Sequence, residues 1–254
     1  MPRTELPPAL PPETRPVGQV IAEALRLYGN AFWSVLPIGL PIAITNQISA
    51  GHSHWVQVGV LAAAIPLLTA AYVAACLVVV KERPPGRTIA TAFVAGLLII
   101  LPVPLLVLIY VLPAVAWLAF VGLAVPVALV ERRTLRAALR RGVELARADY
   151  VHALGSLAAV TVLFAVTKIM LILLLHGTAD AAERVALFLA DLVLSPLLFL
   201  VPALLYFDQT ARVVESRPRT RRRRDADLHP ALEPDGSGRA DAEVEPRPAP
   251  RSEP

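Results

Sequence analysis

Apolar residues follow one another along this chain in long continuous runs that short charged segments separate. Residues 89–130 form a stretch of 42 residues without Asp, Glu, Lys, Arg or His. A helix that crosses a bilayer needs about 20 apolar residues, so this stretch alone has the length of two spans. Backbone amides in lipid are satisfied only within helices or closed barrels. Barrel strands alternate apolar and polar positions, so the continuous runs favour helices.

The runs predict an all-α fold: a polytopic transmembrane helical bundle with six spans, interfacial amphipathic helices and a disordered C-terminal tail. Prolines at positions 37 and 41 interrupt the first span. The charged segments on both sides of the 42-residue stretch require it to cross an even number of times, as a hairpin. The predicted spans are residues 31–50, 55–80, the two parts of 89–130 divided near 110–113, 151–175 and 184–207.

The chain divides into three predicted parts. Residues 1–15 contain five prolines and no apolar period, which is typical of a disordered lead-in and unlike a cleaved signal peptide. Residues 16–212 are the six-helix transmembrane domain. Residues 213–254 contain mainly Arg, Asp, Glu, Pro and Ala and are predicted to be a disordered, basic and acidic, Pro-rich cytoplasmic tail.

Two segments outside the spans have amphipathic helical periods. In residues 17–32 the apolar positions recur at steps of three and four, which predicts either a helix along the membrane surface or a cytoplasmic extension of the first span. Residues 131–150 carry a basic face opposite an apolar stripe. Its arginines either bind anionic lipid head groups or only set the orientation; the predicted contacts are Arg132, Arg133, Arg136, Arg140 and Arg141.

Composition and charge agree with a membrane location. Hydrophobic residues make up 56% of the chain and charged residues 17%, whereas soluble domains contain about 25% charged residues. Lys and Arg concentrate in cytoplasmic loops, and 22 of the 24 lie in segments that six crossings place on one side. The prediction is a multi-pass protein of the plasma membrane with both termini in the cytoplasm. The arginine run 221–224 lacks stacking aromatics, so no nucleic-acid partner is expected.

Two ionisable residues, Lys168 and Asp191, lie inside predicted spans. Such residues are costly in lipid and are therefore functional candidates. Each is eight residues from the outer end of its helix, which at 1.5 Å per residue is about 12 Å. Because the fifth and sixth helices are antiparallel neighbours, we expect an intramembrane ion pair facing the bundle interior. It serves either as a structural contact or as part of a path for a proton or polar solute.

Signatures of catalysis are missing from the sequence. It contains no Walker loop, GxSxG, HExxH or GxGxxG motif, and its single cysteine, Cys76, lies in an apolar run. The predicted outer turns contain His52, His54, His176 and Asp180, but their spacing matches no known zinc-ligand pattern. We therefore predict a protein that is not an enzyme, with no catalytic residues, no metal site and no cofactor.

Three short motifs resemble a family of six-span bacterial membrane proteins. They are Val17–Ile21 with Leu27–Phe32, Val125–Glu131 with Ala137–Arg141, and Leu205–Asp208 with Arg212. The chain is similar over residues 15–216 to the membrane domain of glycerophosphoryl diester phosphodiesterases, which also occurs as free-standing actinobacterial proteins. The phosphodiesterase's catalytic barrel has no counterpart here, so the resemblance implies no hydrolysis.

In that family pattern Tyr206, Asp208 and Arg212 mark the cytoplasmic end of the last span, and an Asp208–Arg212 contact is sterically reasonable at i,i+4. Thr210 stands where the family often has arginine, which argues against a fixed binding role for this group. The resemblance implies an integral membrane domain that supports lipid or envelope processes. The expected function is an accessory or scaffold protein on anionic lipid; the alternative is a small transporter or permease component that uses Lys168 and Asp191.

Overall fold

The computed structural model describes residues 16–80 and 84–232, and side chains as far as residue 213. In these ranges all regular structure is helical, which confirms the predicted class. The first half contains α1 (Val17–Asn30), α2 (Phe32–Val35), a 3-10 helix (Leu36–Gly39), α3 (Leu40–Ser49), α4 (His54–Ala63), α5 (Ile65–Val80) and α6 (Gly86–Ile100). The second half contains α7 (Val103–Ile109), α8 (Val111–Val121), α9 (Ala124–Val130), α10 (Leu135–Ala148), α11 (Tyr150–Leu175) and α12 (Asp180–Leu232).

Helices long and apolar enough to cross a membrane account for most of the described chain. Four meet this criterion singly, and two bent pairs meet it together, so the structure contains four candidate spans, or six if each bent pair is one span. The single candidates are Gly86–Ile109, Val111–Val130, Tyr150–Leu175 and Asp180–Val213. A multi-pass membrane protein is therefore the architecture, and the number six remains a prediction.

The first bent pair joins α1 to the helices of Phe32–Ser49 at 101°. Ala31 lies at the corner with φ −123° and ψ 29°, outside the helical range. α1 and the first predicted span are therefore not one straight helix. The side of α1 with Val20, Ala24 and Tyr28 is buried, and α1 packs on α11.

The second bent pair, α4 with α5, turns by 53° at Ala64. Pro66 follows two residues later, and proline has no N–H to continue the hydrogen-bond ladder and clashes with the preceding turn. The predicted second span, residues 55–80, is therefore two helices at an angle.

The 42-residue apolar stretch divides where the sequence predicted. Tyr110 is extended, with φ −170° and ψ 157°, between α7 and α8. A second break, between α8 and α9, follows from Pro126, which has no N–H to donate to the carbonyl of Gly122 four residues earlier. The Tyr72 hydroxyl donates to that carbonyl at 2.9 Å. A neighbouring side chain thus satisfies the freed backbone oxygen, as spans in lipid require.

The basic helix α10 packs against protein on its apolar side. Its residues Ala138, Gly142, Leu145 and Ala146 are buried, and α10 contacts α6, α8 and α9. A Cβ on Gly142 would lie 2.7 Å from the backbone nitrogen of Ala124, so glycine permits this approach. The apolar stripe of this segment therefore packs on other helices of the bundle.

Apolar side chains cover much of the outer surface, particularly on α11. In the most apolar window of α11 only 11% of the residues are buried. The first half of the helix contributes Ala153, Leu157 and Val160 to the core, whereas Leu173 and Leu174 are 65% and 79% exposed. Exposed apolar area on this scale is expected where hydrocarbon surrounds the protein.

Helix α12 extends to Leu232, beyond the predicted start of the tail at residue 213. The predicted disorder of residues 213–232 is not confirmed, because the structure describes these residues as helical. The lead-in 1–15 and residues 233–254 lie outside the described residues, so those two predictions are untested. Residues 16–213 belong to one of the two compact units of the chain, and all contacts below lie within it.

Candidate functional site

Lys168 and Asp191 are in contact. The Lys168 ammonium on α11 lies 2.9 Å from Oδ1 and 3.0 Å from Oδ2 of Asp191 on α12. The amide nitrogen of Asn46, on α3, donates to Asp191 Oδ2 at 2.9 Å. These three residues, which we call the triad, place one positive and one negative charge together at a side chain, Asp191, that is 3% exposed. The opposite charge and the additional hydrogen bond from Asn46 offset part of the penalty for burying the carboxylate.

A close approach of the 3-10 helix to α12 brings Asn46 to the ion pair. Ser195 Oγ on α12 donates to the carbonyl of Gly39 at 3.2 Å. A Cβ on Gly39 would collide with the carbonyl oxygen of Leu192 and lie 2.9 Å from Ser195 Oγ. Glycine at position 39 therefore lets the 3-10 helix touch α12 one turn from Asp191, and α3 continues from there to Asn46.

A cavity of about 460 Å³ lies beside the triad, within the usual range for small-molecule sites. Residues of α3 to α8, α11 and α12 line it, and most are aliphatic or aromatic, such as Leu118, Val160 and Phe199. Two members of the triad, Asn46 and Lys168, belong to its wall.

The other polar side chains of the cavity wall already have partners. The Thr45 hydroxyl donates to the carbonyl of Pro41 at 2.6 Å, and Thr161 donates to that of Leu157 at 2.8 Å. The Tyr72 hydroxyl is bonded to the Gly122 carbonyl. Polar capacity for a ligand is therefore concentrated at Asn46 and Lys168, while the remaining wall is suited to hydrocarbon.

A second polar group joins the start of α11 to α12. Arg212 donates to Asp208 Oδ2 from Nε at 3.0 Å and to Asp149 Oδ2 from Nη1 at 2.8 Å. His152 Nε2 lies 3.1 Å from the same Asp208 oxygen. Asp149 also caps α11 by accepting from the His152 backbone at 3.1 Å, which is the usual role of Asp before a first helical turn. The expected Asp208–Arg212 contact therefore exists, within a larger network.

Asp208 and its neighbour Gln209 are buried, at 2% and 0% exposure. Gln209 Nε2 donates to the Asp149 carbonyl at 3.1 Å. Among the described residues, Asp208 Oδ1 and Gln209 Oε1 accept no hydrogen bond. The network thus stabilises the α11–α12 junction while keeping two buried acceptor atoms unused.

Glu131, which follows α9, contacts three other residues that the sequence analysis singled out: Tyr206, Arg133 and Arg141. The Tyr206 hydroxyl donates to Glu131 Oε1 at 3.3 Å. Arg133 forms an ion pair with Glu131, and Arg141 Nε lies 3.6 Å from it. Tyr206 therefore contacts the loop before α10, whereas Asp208 and Arg212 contact α11; the structure distributes the three residues over two polar groups.

The five arginines proposed to contact lipid head groups differ in their surroundings. Arg136 is exposed, and the Arg140 side chain is 76% exposed with Glu144 3.6 Å away. Arg141 is only 19% exposed and lies between Glu131 and Glu144. Arg132 and Arg133 are exposed in the loop before α10, where Arg132 has φ 50°. The structure thus gives Arg141 a protein environment and leaves the other four arginines exposed.

The histidines of the predicted outer turns do not form a ligand set. His52 Nδ1 lies 3.1 Å from the carbonyl of Ala50. Over the part of the chain that the structure describes, no three His, Cys, Asp or Glu side chains are grouped so as to hold a metal ion.

Comparison of this chain with protein-family models, curated proteins and solved structures finds no match. The resemblance to the six-span family stays a prediction.

Sequence reasoning missed several members of these groups. Asn46 and its neighbour Gln47 are amides within an apolar segment, which is a usable signal, but the partner of Asn46 is 145 positions away. Asp149 directly precedes a long apolar helix and could have been identified as its N-cap. His152 and Gln209 carry no such signal, because nothing in the local pattern shows that these positions are buried together.

Proposed function

We propose that this protein is a non-enzymatic accessory protein of the bacterial plasma membrane that binds a membrane lipid and supports lipid or envelope processes. The observation that carries this proposal is the apolar cavity of about 460 Å³ whose wall includes Asn46 and Lys168. A cavity with mostly hydrocarbon walls and few polar groups fits a lipid chain better than it fits an ion or a small polar solute. Both termini are placed in the cytoplasm, because of the distribution of basic residues.

The exposed basic residues Arg136 and Arg140 support a further contact with anionic head groups. Near an anionic surface each basic residue contributes about 1 kcal/mol of attraction. Glu144, 3.6 Å from Arg140, compensates part of this charge, so the attraction supplements the membrane insertion of the helices and does not replace it. No nucleic-acid partner and no cofactor form part of the proposal.

The second candidate is a small transporter or permease component that uses the Lys168–Asp191 pair. The contact of the cavity with Lys168 favours it, but a path for a polar solute requires polar groups along its length. Here the threonine and tyrosine hydroxyls of the wall are bonded to backbone carbonyls. The accessory function is therefore the better supported of the two.

The test is to measure the lipid retained by the full chain after purification in mild detergent, by mass spectrometry of the intact complex. Thr161→Phe should fill the cavity, because Thr161 is in its wall. The matched control is Val162→Phe on the next position of the same helix, where the side chain is 59% exposed. We expect bound lipid in the parent and in the control and its loss in Thr161→Phe. Equal lipid in both variants would refute the proposal.

Transport is tested separately by reconstituting the chain in sealed vesicles. An accessory protein should leave the flux of ions and polar solutes at the level of empty vesicles. A flux that Lys168→Met abolishes would favour the transporter instead.

A further inference from the structure

The triad is electrically neutral, and this limits the ligands that the cavity can accept. Lys168 has its countercharge in Asp191, both of whose oxygens lie within 3.0 Å of the ammonium. An anionic head group at the triad would meet an ammonium that is already neutralised. It would also be repelled by the negative charge of Asp191. Burying an additional unpaired charge in an apolar cavity is strongly unfavourable.

The hydrogen-bonding capacity that remains is one donor and one acceptor side by side. Asn46 uses its amide nitrogen on Asp191 Oδ2, which directs its carbonyl oxygen elsewhere, and no described group donates to that oxygen. The Lys168 ammonium has three N–H groups, of which at most two face the Asp191 oxygens. It also lies 5.6 Å from the centre of the Phe164 ring, in the cavity wall.

One acceptor at the triad has no donor. Both Asp191 oxygens lie within 3.0 Å of the Lys168 ammonium, so the ion pair satisfies them, whereas no described group donates to the Asn46 carbonyl. The O–H group of a ligand can donate to that carbonyl, whereas a carboxylate brings only more acceptors.

We propose that Asn46 and Lys168, side by side in the cavity wall, recognise the hydroxyl group of an uncharged long-chain lipid. The ligand's O–H donates to the Asn46 carbonyl and its oxygen accepts from the Lys168 ammonium, while its chain lies along the apolar wall. This inference rests on the proposed lipid-binding function and specifies the chemical class of the lipid. Asn46 and Lys168 are its binding residues, and Asp191 positions the ammonium and cancels its charge.

The experiment compares hexadecanol with palmitate, which have the same chain length and differ in the polar end. Binding of each isotope-labelled probe to the detergent-purified full chain is measured in alkaline buffer, which keeps the acid ionised. The parent should prefer the alcohol by about tenfold or more, the change that one net hydrogen bond produces. Equal affinities, or a preference for palmitate, would overturn the inference.

Two variants assign the preference to the triad. Asp191→Asn leaves the ammonium without its countercharge and should reverse the preference toward palmitate. Asn46→Leu keeps the ion pair and should lower hexadecanol affinity by about tenfold. Its control, Gln47→Leu, removes an exposed amide at the next position, outside the cavity wall, and should change nothing. A parent preference that neither Asp191→Asn nor Asn46→Leu alters would contradict the assignment.

Failure of the inference is distinguishable from failure of the proposed function. If Thr161→Phe leaves the binding of both probes unchanged, or if neither probe binds the parent, the cavity is not a lipid site and both ideas fall. If both probes bind equally and Thr161→Phe abolishes both, the cavity holds lipid without selecting a hydroxyl, and only the inference falls.

Discussion

Arg212 Nη1 lies 2.8 Å from Asp149 Oδ2, which ties the last candidate span to the first turn of α11 across 63 positions of the chain. The same guanidinium bonds Asp208, a carboxylate that is 2% exposed. Removing a cation from a buried ion pair leaves an uncompensated charge, which is far more destabilising than losing an exposed pair. Arg212 is therefore expected to contribute strongly to stability.

Arg212→Gln should lower the free energy of unfolding by about 3 kcal/mol, seen as a reduced midpoint of thermal unfolding in detergent. The control is Arg136→Gln, which removes the same charge from an exposed position on α10 and should change the midpoint little. If the two variants unfold at the same temperature, the buried network does not stabilise the junction.

The Lys168–Asp191 pair predicts a non-additive response to substitution. Lys168→Met and Asp191→Asn each leave one charge unpaired, so each should reduce the yield of folded protein. The double variant leaves no charge at this point and should recover part of the loss. Yields after solubilisation, measured side by side, provide the check; a double variant that is no better tolerated than the worse single one would show that the pairing contributes nothing.

Gly142→Ala should destabilise the protein although alanine is the better helix former. In an open helical position the change is favourable by about 0.5–1 kcal/mol. Here the new Cβ would lie 2.7 Å from the Ala124 nitrogen, and overpacking of this kind costs about 1–3 kcal/mol. Gly59→Ala, where a Cβ meets nothing within 4 Å, is the control and should be neutral or stabilising. Comparing the thermal midpoints of the two variants decides the point.

The predicted topology has its own test. An even number of crossings places the two termini on the same, cytoplasmic side. Reporter tags at each end, read by protease protection in sealed vesicles, should respond identically. Tags that are protected on opposite faces would disprove the topology and the orientation drawn from the basic residues.

Sequence alone was sufficient for the helical class and the break at Tyr110, because apolar run length and charge spacing decide these locally. Pro66 is a local signal for the bend at Ala64, but the packing of α10 could not be predicted, since it depends on which neighbour the helix meets. The apolar stripe of α10 illustrates this: the same apolar period fits lipid and protein equally well, and Gly142 shows the close contact only when Ala124 is placed beside it.

Part of the site could be predicted from the sequence. Counting residues from the helix ends suggested that Lys168 and Asp191 meet, and they are in contact in the structure. Asn46 completes the triad from a helix far away in sequence, through the approach of Gly39 to Ser195, which no local pattern encodes. The cavity could not be predicted either, because it is the space left between bent helices and not a property of any one of them.

A photoreactive hexadecanol tests the central claim, lipid binding in the cavity, most directly. After irradiation of the purified chain, mass spectrometry of its peptides locates the attached label. Labelling is expected within the cavity wall, at positions such as Leu118, Val160 and Leu198, and Thr161→Phe should abolish it there while the exposed residues of α11 keep theirs. Label confined to exposed positions such as Val162 and Leu173, unchanged by Thr161→Phe, would contradict the account.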